Sequence, residues 1–106
     1  IPSLQLVADT FPAGTLSGAP KHKALQLIEK YETVNRTFYA GAIGVMDFKG
    51  NFNHAIMIRT FLSKDHQLHW QAGAGIVTDS TPENELQEVY HKLGALTKAL
   101  NIATQL

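Results

Sequence analysis

Glu85 and Glu88 stand three residues apart in a stretch with helical periodicity, so both carboxylates leave one flank of a helix, close enough to share a hard divalent cation such as magnesium. The same spacing rule pairs Glu88 with Lys92 at i and i+4, and spacing alone favours that solvent-exposed ion pair over a metal site. Arg59 interrupts the otherwise apolar run Ala55 to Leu62, on the strand face it would share with Met57 and Phe61. A guanidinium there needs an anion, and its fork matches a carboxylate bidentately. An edge position, or a partner such as Asp47 or Glu88, fits the residue types equally well. Gly73 and Gly75, spaced by alanines, would let a ligand approach bare backbone amides, and a bulge or a strand crowded by a helix uses glycine in the same way. The segment Gly14 to Lys21 lacks the Gly-Lys-Ser/Thr ending of a phosphate loop, although amides at a helix start there can hold a carboxylate. The five histidines show no metal-ligand spacing and carry no assigned chemistry.

These residues need a scaffold, and the pattern around them predicts one. Ala8 to Pro20 is thick with turn residues and reads as a long shaped loop. Ala24, Leu27, Ile28 and Tyr31 then recur at helical spacing, giving a helix from Pro20 to Glu32. Strands are expected over Tyr39 to Phe48, Phe52 to Leu62 and Gln67 to Val77, separated by polar turns at 49–51 and 63–66, in one antiparallel meander. Thr81-Pro82-Glu83 carries a cap, a first-turn proline and a dipole-compensating carboxylate, which predicts a helix to Leu100. Its core stripe is expected to be Leu86, Val89, Tyr90, Leu93, Leu96 and Leu100. The order is loop, α, β, β, β, α, an α/β (α+β) arrangement in one domain over residues 1–106 with no internal boundary.

Composition narrows the function classes. Nine basic and nine acidic side chains are dispersed, leaving no electrostatic footprint for nucleic acid or an anionic membrane. Without cysteine there is neither a disulfide framework nor a thiolate metal site, and a cytoplasmic location is the expectation. The apolar runs are too short for a membrane span.

The wording of several blocks goes further. Phe11-Pro12-Ala13-Gly14-Thr15-Leu16-Ser17-Gly18-Ala19-Pro20-Lys21 closely resembles the signature of the anthranilate synthase component I family of chorismate-utilising enzymes. Tyr39 to Gly44, Ala55 to Thr60, Gln71 to Val77, and Asp79 through Lys92 are similar to that family's later blocks, in the same order. The Ala-Gly-Thr-Leu-Ser-Gly wording is closer to anthranilate synthase than to aminodeoxychorismate synthase, which stands as the alternative, beside a non-catalytic module that keeps the chorismate site.

The resemblance implies the final third of a two-sheet chorismate-binding α/β sandwich, with the acid/base histidine and further metal ligands on an upstream portion of the chain. It implies conversion of chorismate and ammonia to anthranilate and pyruvate in tryptophan biosynthesis, with magnesium as cofactor and a glutamine amidotransferase (component II) supplying ammonia. Glu88 would be a direct metal ligand with Glu85 beside it. Arg59 and Tyr39 would grip the pyruvyl carboxylate, Gly73 and Gly75 would donate amides, Thr15 would contact the ring end, and Lys92 would balance charge. No residue here would be the catalytic acid or base, so the isolated segment is expected to be inactive and to pair as a homodimer through its uncovered sheet face.

Overall fold

The computed structural model describes residues 2–106, and its packing separates a first unit that ends at Met57 from a second, Ile58–Leu106. The first unit contains α1 (Ser3–Thr10), α2 (Gly14–Ser17), α3 (Lys21–Tyr31), β1 (Ala42–Met46) and β2 (Phe52–Ile56). α1 begins ahead of the turn-rich segment and extends into it. Its turns are tied by Gln5 Nε2 donating to Asp9 Oδ1 at 2.7 Å and by the Thr10 hydroxyl donating back to the Leu6 carbonyl at 2.8 Å. It stops at Phe11, whose extended conformation (φ −79°, ψ 145°) is what the following Pro12 demands. Lys21 Nζ reaches back 3.1 Å to the Thr10 carbonyl, placing a cation on the negative end of α1. The single turn of α2 ends at Gly18, whose φ of +88° suits a residue without Cβ. Pro20 stands just before α3, extended, rather than inside its first turn.

β1 and β2 form an antiparallel hairpin with Ala42 opposite Ile56 and Met46 opposite Phe52. The Asp47 carboxylate builds the tip, accepting from the Lys49 amide at 2.8 Å, the Asn51 amide at 3.0 Å and Asn51 Nδ2 at 2.9 Å. Hydrogen bonding to the charged form, Asn51 first, lowers the Asp47 pKa. Opposite His54, Gly44 is packed so closely that a Cβ would meet the His54 Cβ at 2.7 Å. The ladder runs past the strand ends, since the Ala40 amide donates to the Met57 carbonyl at 3.0 Å and the Met57 amide to the Gly41 carbonyl at 2.8 Å.

The second unit contains β3 (Leu62–Lys64), β4 (Gln67–His69) and α4 (Pro82–Ala103). β3 and β4 pair antiparallel through a two-residue turn at Asp65-His66, both at positive φ (54° and 63°) as a tight hairpin requires. The rings of Phe61 and Trp70 meet edge to face at 5.3 Å beyond its open end. The α/β class with antiparallel strands is as expected, but the strands form two separate two-stranded sheets in place of one meander. The break lies at residues 57–61. Arg59 has φ +50°, outside any strand, and Thr60 turns its hydroxyl onto the Ile58 carbonyl at 2.7 Å. Residues 71–77 are likewise irregular rather than the end of a long strand. A turn in which the Val77 amide donates to Ser80 Oγ at 2.8 Å then leads to Thr81, whose hydroxyl caps α4 by accepting from the Asn84 amide at 3.3 Å.

Among the described residues, Tyr39, Ala40 and Leu96 are the buried hydrophobic side chains and Ser17 the buried polar one. Val45 and Ile76, by contrast, are 79% and 80% exposed. No described helix is long and apolar enough to cross a membrane.

Candidate functional site

In the second unit, α4 sets the geometry. Glu85, Val89, Lys92, Leu93, Leu96 and Leu100 form its less exposed stripe, whereas Leu86 and Tyr90 remain 52% and 59% exposed. The sheltered face is therefore rotated from the one expected, and it carries two charged side chains. Lys92 Nζ donates to the Gly73 carbonyl at 2.9 Å and pairs with Glu88 Oε1 at 3.0 Å. This fixes the irregular glycine segment against the helix and engages Glu88. Glu85 differs: its Oε2 is buried with no hydrogen-bond partner. A desolvated carboxylate oxygen without a donor is an expensive arrangement that a cation would relieve, so the donor chemistry here fits a hard divalent ion. No cluster of three or more His, Cys, Asp or Glu that could hold a metal exists among the described residues; of the three α4 glutamates, Glu83, Glu85 and Glu88, only Glu85 and Glu88 are the candidate pair. Gly75 is exposed, with open space where a side chain would lie. Arg59 is exposed on the bend, not half-buried on an apolar strand as expected.

In the first unit, Thr15 lies exposed on α2 and Tyr39 is buried at 8% exposure. Between them stands Arg36, which sequence reasoning missed. Its Nε and Nη2 bond the two oxygens of Glu32 at 2.9 and 2.5 Å, its Nη1 donates to the Leu16 carbonyl at 3.1 Å, and its guanidinium lies 5.5 Å from the Tyr39 ring centroid. The Glu32 hydrogen bond raises the Arg36 pKa. The signal that could have found it is the Glu-x-x-x-Arg spacing of Glu32 and Arg36, which lies past the end of α3 where helical spacing carries no expectation. A recess of about 160 Å³ adjoins this cluster, lined by Leu16, Ser17, Ile28, Arg36, Tyr39 and Gly41 among others.

The family described as chorismate binding enzyme matches residues 1–98. This chain belongs to that family. The match crosses from the first unit into the second and contains Thr15, Tyr39, Arg59, Gly73, Gly75, Glu85, Glu88 and Lys92. Similar proteins include the anthranilate synthase component 1 of Aquifex aeolicus, 50% identical over 103 residues, 97% of this chain and 21% of that relative. The protein of the same name from Acetivibrio thermocellus is 53% identical over 95 residues, 90% of this chain and 19% of its own. That from Lactococcus lactis is 56% identical over 89 residues, 84% and 20%. The chain thus spans about a fifth of the length of these relatives.

Proposed function

We propose that this chain supplies part of the chorismate site of an anthranilate synthase component I, which converts chorismate and ammonia to anthranilate and pyruvate in tryptophan biosynthesis. The family match across both units, covering every candidate ligand residue, carries this reading. Chorismate is a dicarboxylate, and the chain offers a matching division of labour. Arg59 and Tyr39 bind the pyruvyl carboxylate, the Gly73 and Gly75 amides donate to substrate oxygens, and Thr15 meets the ring end. Glu85 and Glu88 hold magnesium, which when bound supplies positive charge to the ring carboxylate. Lys92 keeps Glu88 oriented and the Gly73 backbone in place, as its two bonds indicate. The acid/base groups come from sequence outside these residues, and ammonia from a component II amidotransferase. The setting is cytoplasmic. Alone, the chain associates as a homodimer through exposed apolar positions such as Ile43 and Val45, detectable by light scattering.

The test is a graft in which all 106 residues replace the matched segment of the Aquifex aeolicus relative. The graft should form anthranilate from chorismate, ammonia and magnesium. A folded graft that binds chorismate without forming anthranilate would refute the reading.

A further inference from the structure

We infer that Arg36 is a positioning residue of the chorismate site, acting through the Tyr39 ring and the Thr15-bearing turn without touching substrate. The inference rests on the proposed function and adds a residue that the family resemblance did not supply. Four observations converge on it. The guanidinium makes three hydrogen bonds to two separate segments, the Glu32 carboxylate just past α3 and the Leu16 carbonyl within α2. It also lies against the face of Tyr39, one of the few buried side chains. Tyr39 sits between two non-glycine residues at positive φ, Thr37 (28°) and Ala40 (68°), so local backbone preference does not hold the ring where it is. Arg36 is occupied by Glu32, so it is not itself a free carboxylate receptor; its orienting bonds are already made.

A planar fork performs this task and an ammonium does not. Two parallel bonds to Glu32 fix the plane of the guanidinium, and the plane fixes where an aromatic face can rest. Nη1 remains for the Leu16 carbonyl, so the position of α2 and the tilt of the Tyr39 ring depend on one rigid group. Lysine would keep the charge and lose the plane. Tyr39 and α2 would then adopt several positions, and substrate would bind less well before any chemical step.

The experiment uses the grafted enzyme and a double-mutant cycle of Arg36→Lys with Tyr39→Phe. Arg36→Lys should raise KM for chorismate at least about fivefold while kcat stays within about twofold, because uniform binding is lost. In the Tyr39→Phe background the same change should raise KM by a clearly smaller factor, because the part of the effect that passes through the Tyr39 hydroxyl is gone while the α2 contact remains. An unchanged KM, or equal effects in both backgrounds, overturns the inference. If Arg36→Lys does not fold, Glu32→Gln, which retains the guanidinium and loosens its plane, is read by the same criteria. An inactive parent graft would refute the proposed function instead, so the two failures are distinct.

Discussion

Arg36 and Lys92 use one device in two units and apply it to different ends. Each cation pairs with a glutamate four residues before it and donates to a backbone carbonyl about one helix-and-loop upstream, Leu16 at 20 residues and Gly73 at 19. Arg36 has the more sheltered pair and spends all its bonds on internal groups, with Tyr39 resting on its face. Lys92 makes a single bond to each partner and stands more exposed, on the same helix as Glu85, whose buried oxygen has no partner. A bidentate arginine fixes the plane of its contact, whereas a lysine with one bond to each partner leaves a contact that can rearrange.

Removing Glu85 should have the largest effect. In the grafted enzyme, Glu85→Gln should lower kcat/KM about a hundredfold, near 2.7 kcal/mol, and raise the magnesium requirement. Glu88→Gln should lose only about tenfold, since Lys92 already shares that carboxylate. Equal losses would erase the distinction between the two glutamates. On the other side, Arg36→Ala should destabilise by about 2 kcal/mol in denaturant unfolding, because charge-assisted bonds to a carboxylate and a carbonyl are lost together. Thr37→Gly should stabilise the same region by about 1 kcal/mol, as a β-branched residue at φ +28° gives way to one without Cβ. Lys92→Met should change stability by only about 0.5 kcal/mol, in keeping with an exposed pair. A loss as large as that at Arg36 would show that the two cations are equivalent supports.

The smallest effect concerns pH. Asp47 has a lowered pKa in the folded hairpin, so its contribution is present above the ordinary carboxylate value, about 3.9, and is lost as pH falls through the folded value. Acid titration should therefore weaken amide protection at Lys49 and Asn51, and Asp47→Ala should remove that dependence.

Where chain chemistry acts locally, it was legible. Thr81-Pro82 announced α4, and Lys49-Gly50-Asn51 announced the first hairpin, because caps and tight turns select residues directly. α1 was hidden because its helix runs into the proline- and glycine-rich stretch. The composition of Phe52 to Leu62 predicts one strand, yet β2 ends at Ile56, because β-branched and aromatic content says nothing of a residue such as Arg59 crossing to left-handed φ. The sheltered face of α4 departs from the periodicity for a related reason. Periodicity assigns the inner face to the greasiest residues, and here the sheltered face also holds Glu85 and Lys92, the latter tied to the Gly73 carbonyl. Of the candidate site, the resemblance names Thr15, Tyr39, Arg59, Gly73, Gly75, Glu85, Glu88 and Lys92. Arg36 is not among them, since its role depends on a bend that brings non-helical residues to helical spacing.

The β1–β2 pair has a consequence for handling the molecule. Both its outer edges are unpaired within a two-stranded sheet, and Ala40 to Met46 is an uncharged, proline-free stretch with Ile43 and Val45 facing outward. Such a window is a template for cross-β stacking whenever it is uncovered, during synthesis or at high concentration. Asp47 and Lys49 follow it immediately, so the residues that shape the tip also act as gatekeepers, placing charge where a second copy would continue the stack.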